Sequence, residues 1–416
     1  MKDKNTKKEQ PSLKDRLAQW KPMPFRDWLK QNWIALVVLA VAAAIFVGMY
    51  FYSHQGKIYQ NQSTELENLS YETATVLNVS RDTVQTNDYA ATFEVSEVGS
   101  QTILIRITSG VYTGLTLELQ NNVSTFNGTK LRTGDEIVVE LIAKEGQVTT
   151  CSVYQYNRVP QVVWLVVIFF AITILVGSKT GAKSLLGLVI TVFTLIYIMC
   201  PLLMKGFKPD WTALGLCIFV EVVCFTILDG IHKKTLCAMV GTAVGMGLAA
   251  LFGVLAQAFT KINSYSMYTT TTLVDEFLNI QRQGIPLRIH GLLTAGVIIS
   301  SLGAVMDVAM SLSSAIQELK TVNPELTRGE LWRSGMRIGR DMVGTMTNTL
   351  VLAFVGSSLL LIIYMWSLDL SFYQLVSSTF FAVELISALA SSVGVILAVP
   401  VTALVGAVFF GNRTEK

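Results

Sequence analysis

Long apolar runs dominate the chain, and eight of them are about as long as a helix that crosses a bilayer. Such a helix needs about 20 mostly apolar residues. The pattern therefore predicts a mainly α, polytopic membrane protein with about eight transmembrane helices. The runs lie approximately at residues 33–53, 160–177, 185–204, 212–230, 235–259, 291–314, 343–366 and 379–410.

Residues 54–158 have a different pattern, in which apolar and polar positions alternate as they do in half-buried β-strands. Turn signals such as Ser109-Gly110 and Thr133-Gly134-Asp135 separate the alternating segments. This spacing predicts one small β-barrel or sandwich, with an OB-like barrel as the preferred form. The predicted strands are Tyr71–Val79, Ala91–Val95, Gln101–Thr108, Thr116–Leu119, Glu136–Ala143 and Gln147–Tyr154.

Composition and charge place these segments on the two sides of a membrane. The 416 residues are 51% hydrophobic and only 15% charged, which excludes an ordinary soluble enzyme. Nine Lys and Arg residues precede the first run, so the positive-inside rule predicts a cytoplasmic N-terminus. Eight crossings then predict a cytoplasmic C-terminus and an extracytoplasmic β domain. Among the basic residues near span ends, Lys205 and Lys208 are the exception to this orientation.

The same reasoning divides the chain into five segments. The first apolar run has no small-residue cleavage pattern after it, so we interpret it as an uncleaved anchor. The expected order is a basic cytoplasmic segment at 1–32, a transmembrane anchor at 33–53, an extracytoplasmic β domain at 54–158, a seven-helix membrane domain at 159–411 and a cytoplasmic tail at 412–416.

Motifs of catalysis, metal binding and nucleotide binding are missing from the sequence. The three histidines, His54, His232 and His290, are far apart and form no ligand spacing such as HExxH. No P-loop, CxxC pair or complete serine elbow is present. We therefore expect no enzyme activity, no catalytic residue, no metal site and no cofactor. The basic residues are explained by membrane topology, so no nucleic-acid partner is expected either.

Acidic side chains inside the apolar runs are the candidate functional residues, because a charge in hydrocarbon is costly. Asp307 lies in the sixth run, on the same helical face as Ser311. On the seventh run, Thr345 and Asn348 follow Asp341 on one face near the cytoplasmic entry. Glu221, in the middle of the fourth run, ranks second to Asp307 as a transport residue.

Two interpretations of Asp307 remain open. In the first it is a structural clamp that accepts hydrogen bonds from Arg340, Asn348 or Thr345 and so fixes how two helices pack. In the second it belongs to an ion or substrate site with Ser311, Thr345 and Asn348, to which Glu221 contributes. Arg340 and Asp341 are expected to form a structural ion pair in either case.

Two local signals concern helix packing. The fifth run contains Gly241, Gly245 and Gly247, whose GxxxG step predicts close helix contact. Thr327 and Glu330 form a capping-box pattern. The helix that follows it is expected to lie at the membrane interface and to lead into the seventh run.

Two segments carry a resemblance to a known family. SLGAVMDVAMSLSSAIQEL at 301–319 and SGMRIGRDMVGTMTNTLVLAFVGSSL at 334–359 resemble hallmark segments of the YibE/F family of bacterial multi-span membrane proteins. The resemblance covers roughly residues 160–410, and the anchor with its outer domain resembles the YibE-like members. It implies a bacterial plasma membrane location and no established activity. The matching positions are Asp307, Ser311, Arg340, Asp341, Gly344, Thr345, Thr347 and Asn348.

The resulting expectation is an integral plasma-membrane protein that acts as a gradient-driven permease or transport component. The alternative is a non-transporting scaffold or sensor whose outer β domain binds an envelope partner. Expected partners are the lipid bilayer and either a second YibE/F-like membrane protein or further copies of the same chain. The sequence does not identify the substrate, the direction of transport or the oligomeric state.

Overall fold

The computed structural model of the chain describes residues 25–55, 69–89, 94–124, 129–144, 147–262, 281 and 284–411. The chain divides into two compact units, one formed by Met1–Ile58 with Ala182–Lys416 and the other by Tyr59–Gly181. Most of the predicted basic segment 1–32, the tail 412–416 and most of the predicted outer loop 261–290 lie outside the described residues.

The second unit contains an antiparallel β-sheet. Its central strand β1 pairs with β3 on one side and with β5 on the other, while β4 pairs with β3 and β6 with β5. β2 pairs with the beginning of β3. Because β4 and β6 also contact each other, the sheet curls into a near-barrel. The strands are β1 (Leu69–Asp82), β2 (Gln85–Tyr89), β3 (Glu94–Ile107), β4 (Thr116–Val123), β5 (Glu136–Lys144) and β6 (Gln147–Tyr156).

The alternating residues of these strands form the core of the sheet. Every second side chain of β3 from Ile103 to Ile107 is buried, and Ile137 and Leu141 of β5 face the same interior. The other face is polar, as the sequence pattern predicted. The predicted strand Ala91–Val95 overlaps β3 but falls partly on residues that are not described. β2 was not predicted, because its sequence QTNDY has no apolar alternation.

The helices in the described part of the chain are numbered α1 to α10 in chain order. Six stretches of helix among the described residues are long and apolar enough to cross a membrane, and a seventh is obtained if α7 and α8 count as one bent span. The helices are α1 (Phe25–His54), α2 (Val159–Phe193), α3 (Cys200–Met204), α4 (Pro209–Asp229), α5 (Lys233–Thr260), α6 (Leu292–Val322), α7 (Arg328–Ser357), α8 (Leu359–Ser367), α9 (Phe372–Ser377) and α10 (Thr379–Phe410); a π-helix (Thr194–Met199) joins α2 to α3.

The backbone of α2 is broken at Ser178. This residue has φ 51° and ψ −133°, which lies outside the helical region. A side chain at Gly181 would collide with the carbonyl of Thr173, so the chain turns back on itself here and only glycine fits. The break coincides with the predicted loop between the second and third apolar runs. The stretch Val159–Met204 has 46 residues, which as one straight helix would be about 69 Å long, more than twice the thickness of a bilayer core.

The centre of the helical unit is formed by α5, α6 and α10, which pack against one another. α5 and α10 approach to backbone distance where two glycines face each other. A Cβ added at Gly245 would lie 2.8 Å from Ala398 and Val305, and one added at Gly394 would lie 2.8 Å from Ala249. A Cβ added at Gly241 would come closer still to the hydroxyl of Thr402 on α10. Gly247 has open space around it, so the close contact uses only part of the predicted glycine set.

The seventh predicted span differs from the expectation. A separate interfacial helix was expected before the run 343–366, but α7 continues from Arg328 to Ser357 and then bends by 58° into α8. The Thr327–Glu330 capping box is present at its start. The expected interfacial helix and the first part of the span form one continuous helix because Leu331, Gly335 and Gly339 are buried along one side of it. There Gly339 contacts Val399 of α10.

Replacing Gly245 with valine is expected to disrupt the helical core, because the side chain has no space between α5, α6 and α10. Overpacking of this kind costs about 1–3 kcal/mol and sometimes more. The measurement is the yield of monodisperse protein in detergent and its thermal unfolding temperature. Gly247→Val is the matched control, since it adds the same side chain two residues away in open space. Equal behaviour of the two variants would contradict this packing.

Candidate functional site

A buried carboxyl group lies in the middle of α4. Glu221 is the thirteenth of the 21 residues of this helix, and only 1% of its surface is exposed. Neither carboxyl oxygen has a hydrogen-bond partner among the residues that the structure describes. The two ion pairs found among the described residues, Lys130–Asp82 and Lys234–Asp229, do not involve it. An unpaired carboxylate in such surroundings costs several kcal/mol unless a proton or a cation neutralises it.

The groups around Glu221 are small polar or apolar. α4 packs against both α5 and α6. Cys217 and Cys224 flank Glu221 on its own helix, and the Thr242 hydroxyl of α5 lies close enough to interact with its carboxyl. That hydroxyl donates to the carbonyl of Ala238 at 3.0 Å, so its proton is already used. Beyond these groups lies an apolar cluster of Phe225, Ala238, Ala309, Met239, Met306 and Met310.

Further small polar groups continue from Thr242 towards the N-terminal end of α5. Gly241, next to Thr242, faces Thr402 of α10. The Cys237 thiol donates to the Thr402 carbonyl at 3.3 Å, and Cys237 also interacts with Ser313 of α6. Ser313 in turn donates to the carbonyl of Lys234 at 2.6 Å.

Two buried hydroxyls of these helices, those of Thr235 and Thr402, have no hydrogen-bond partner among the described residues. Thr235 and Thr242 are seven residues apart on α5 and therefore share a face. We call Glu221, Thr242, Thr402, Cys237 and Ser313 the polar series. Its α5 members lie between the level of the buried carboxyl and the end of α5, where Lys234 pairs with Asp229.

The residues predicted from the sequence as an ion or substrate site are divided between two places. Asp307 and Ser311 of α6 are exposed, and so are Thr345 and Asn348 of α7. Within the described part of the chain, Asp307 has no hydrogen bond or ion pair, and the hydrogen bonds of Thr345 go to backbone carbonyls of its own helix. Glu221 lies apart from these four, inside the helical core.

The expected contacts of the clamp and of the structural ion pair are not formed between described residues. Arg340 and Asp341 are both exposed on α7, and neither takes part in an ion pair. α6 and α7 do pack together, but through apolar residues, among them Ile316 and Leu331. A polar contact between α6 and α10 that the sequence did not predict joins Ser300 to Ser391 at 2.8 Å.

Four members of the polar series were not predicted from the sequence as site residues: Thr242, Thr402, Cys237 and Ser313. A threonine or serine inside an apolar helix can satisfy itself by bonding a carbonyl of its own preceding turn, so its presence carries little information. The spacing of seven between Thr235 and Thr242 is the one signal that could have indicated a polar face on α5.

The β unit has a polar cleft of its own between β4 and β6. Its volume is about 470 Å³. Asn121 is buried beneath it and is held by hydrogen bonds to Gln101 and to the carbonyl of Thr129. Arg158 donates to Gln155 at 3.0 Å at its rim. The lining residues are Gln120, Asn121, Asn122, Thr129, Leu131, Ser152, Val153, Tyr154, Gln155, Tyr156 and Arg158.

Comparison with known proteins identifies the family to which the chain belongs. The family model described as YibE/F-like protein matches residues 165–412, which is more than half of the chain. The chain belongs to the YibE/F family. No curated protein and no solved structure matches it. The matched range contains Glu221, the whole polar series and the exposed residues of α6 and α7, whereas the sheet of the β unit lies outside it. Family membership and the apolar helices together indicate a membrane protein.

Proposed function

We propose that this YibE/F-family protein is a multi-pass protein of the bacterial plasma membrane with eight crossings, both termini in the cytoplasm and an OB-like β domain outside. The break at Ser178 supports two crossings within Val159–Met204, and the bent pair α7 and α8 supplies one more. The distribution of Lys and Arg supports the orientation. The order of the strands, with β1 between β3 and β5, supports the OB-like form.

Labelling with a membrane-impermeant maleimide tests this topology. Thr149 is exposed on β6 and Glu325 is exposed in the loop before α7. In a variant in which Cys151 and Cys200 are serines, Thr149→Cys is expected to react in intact cells. Glu325→Cys is expected to react only after the membrane is permeabilised. The reverse pattern would overturn the orientation, and labelling of both in intact cells would overturn the number of crossings.

Within that membrane protein, the activity that the site supports best is gradient-driven transport coupled to a proton at Glu221. The observation that carries this proposal is a fully buried carboxyl whose two oxygens have no hydrogen-bond partner in the described part of the chain. A multivalent cation would need several oxygen ligands, and no group of three or more His, Cys, Asp or Glu suited to a metal occurs among the described residues. A proton needs only the carboxyl itself.

The polar series supports the same proposal by offering a path for the proton. A proton moves between groups that can both donate and accept hydrogen bonds, and hydroxyl and thiol groups do both. The hydroxyls of Thr235 and Thr402 have no hydrogen-bond partner within the described ranges, which leaves them able to bond water that enters this side of the bundle. The series ends beside Lys234 and Asp229, at the end of α5 that the topology assigns to the cytoplasm.

Proton flux into proteoliposomes tests the role of Glu221. With a pH-sensitive dye inside the vesicles and an imposed potential, wild-type flux is measured with a panel of cations and small anions. Glu221→Gln is expected to reduce coupled proton flux by on the order of a hundredfold, the effect typical of losing a proton-transferring group. Its thermal unfolding temperature should be unchanged or higher, because an unpaired buried acid is removed.

The matched control is Glu318→Gln, which makes the same change at an exposed position near the end of α6. Its flux should equal that of the wild type. Asp307→Asn tests the site that the sequence ranked first. Undiminished flux in Glu221→Gln would overturn the assignment to Glu221, and a loss in Asp307→Asn alone would move the site to α6.

The second candidate function is a scaffold or sensor whose outer domain binds an envelope ligand, and the polar cleft favours it. Four amide side chains, which both donate and accept hydrogen bonds, line the cleft, and they suit a ligand rich in hydroxyl groups. The rings of Tyr154 and Tyr156 offer apolar faces beside them, and Arg158 supplies a single positive charge. These features fit a short oligosaccharide of the cell envelope.

Titration of the full-length protein in nanodiscs with soluble cell-wall oligosaccharides tests this candidate. Arg158→Ala is expected to weaken binding by about tenfold, the effect of losing one or two hydrogen bonds from a charged group. Arg132→Ala, an exposed arginine that does not line the cleft, should bind as the wild type does. Absence of binding by the wild type, or equal weakening in both variants, would contradict the assignment.

A further inference from the structure

A row of small and polar residues is exposed along α6. It consists of Gly303, Asp307 and Ser311, which are four residues apart and therefore lie on one face. The opposite face of the helix is buried, with Val305, Val308 and Leu312 packed in the core. Asp307 is the sixteenth of the 31 residues of α6, so it lies at the middle of a helix that is long and apolar enough to cross a membrane.

α7 has an exposed polar row as well. Arg337, Arg340, Asp341, Thr345 and Asn348 are all exposed, and their spacing of three and four residues places them on one side of the helix. The buried side of α7 contains Leu331, Gly335 and Gly339. The two rows together are called the α6/α7 polar face.

The two rows lie at similar heights. Ile316 of α6 packs against Gly335 of α7. A Cβ added at this glycine would lie 3.0 Å from Cδ1 of Ile316. The two helices are consecutive and are joined by a short loop, so they run antiparallel. Counted nine residues away from this contact and from the loop, Asp307 on α6 and Gly344 on α7 lie at the same height. Measured along the helix axes, Arg340 then lies about 6 Å on the loop side of Asp307, and Asn348 lies about 6 Å on the other side.

The α6/α7 polar face is not satisfied by this chain alone. Within the described residues, Asp307, Arg340 and Asp341 take part in no ion pair, and Asp307 accepts no hydrogen bond. Lipid tails offer no partner to such groups, and an apolar helix offers none either. A surface that carries an acid and a base on membrane-type helices therefore requires a cover with complementary charges.

We propose that the α6/α7 polar face is the interface between two copies of this chain. The face is self-complementary, because its acid Asp307 is on α6 and its base Arg340 is on α7. In a twofold dimer with its axis normal to the membrane, Asp307 of each copy meets Arg340 of the other, and both contacts form at once. Gly303 and Ser311 allow the helices to approach closely on either side. The proposal rests on the membrane location and not on transport.

Charge reversal in trans tests this interface. Asp307→Arg alone gives a homodimer with two pairs of facing arginines, and Arg340→Asp alone gives one with two pairs of facing carboxylates. A heterodimer of the two variants restores an opposite charge at both contacts. Two copies with different affinity tags are co-expressed, extracted in mild detergent and captured through one tag. Co-capture should fall at least about tenfold for each variant with itself and return to wild-type level for the mixed pair.

Recovery in the mixed pair is possible only if the contacts join different chains, because an Asp307–Arg340 pair within one chain stays like-charged in each variant. Asp307→Asn and Arg340→Gln keep the test valid if the reversals fold poorly, since each should weaken self-association at unchanged abundance. Glu325→Arg, an exposed charge reversal in the loop before α7, is the control and should associate as the wild type does.

The proposal is overturned if each reversed variant associates with itself as well as the wild type does. It is also overturned if the wild-type chain shows no self-association by co-capture and by cross-linking through Ser311→Cys. Capture of a different YibE/F-family membrane protein in place of the tagged second copy would overturn it as well. Flux through Glu221 is measured independently, so failure of either proposal leaves the other intact.

Discussion

The contact between α5 and α10 at Gly245 and Gly394 is the interaction on which the rest of the helical unit depends. Apolar helices gain little from leaving lipid for one another, so their association relies on close packing of small side chains. Here two helix backbones meet with no side chain between them. α6 packs into the same junction through Val305. α4 and α7 then pack on the outside of this trio, and their positions determine which polar residues become buried.

The burial of Glu221 follows from this arrangement. Because α4 packs on both α5 and α6, its middle is surrounded by protein, and a side chain that would otherwise reach lipid or water is enclosed. The apolar groups beside it include three methionines, Met239, Met306 and Met310. Methionine side chains are flexible and tolerate changes in shape, so this part of the core can repack when its neighbours shift.

Much of the architecture could be predicted from the sequence, because periodicity reports directly on secondary structure. The alternation in 54–158 predicted the strands that build the near-barrel, and the apolar runs predicted the membrane-type helices. The bend between α7 and α8 was not predicted, although Gly356, Ser357 and Ser358 lie there and Gly/Ser pairs are a common cause of helix kinks. β2 was missed because it is polar on both faces and is held in the sheet by its pairing with β3.

The candidate site was predicted less well than the fold, and helical geometry explains why. Spacing shows that Asp307 and Ser311 share a face of α6, but it does not show whether that face points to the core or away from it. The buried face of α6 and its exposed face are both rich in small and apolar residues. The depth of Glu221 could be read from the length of its run. Its complete enclosure depends on α5 and α6, which only the tertiary structure brings together.

The two faces of α6 have different surroundings, and its neighbouring helices differ accordingly in their proposed roles. Met306 and Ala309 face the cluster beside α4, while Asp307, between them in sequence, is exposed on the other side. An interface of paired charges fixes the register of the helices that form it, because sliding by one turn separates every pair. If two copies meet through α6 and α7, these helices form the stationary frame. Under the proposed transport function, the movement that exposes Glu221 would be made by α4, which contacts this frame through apolar side chains.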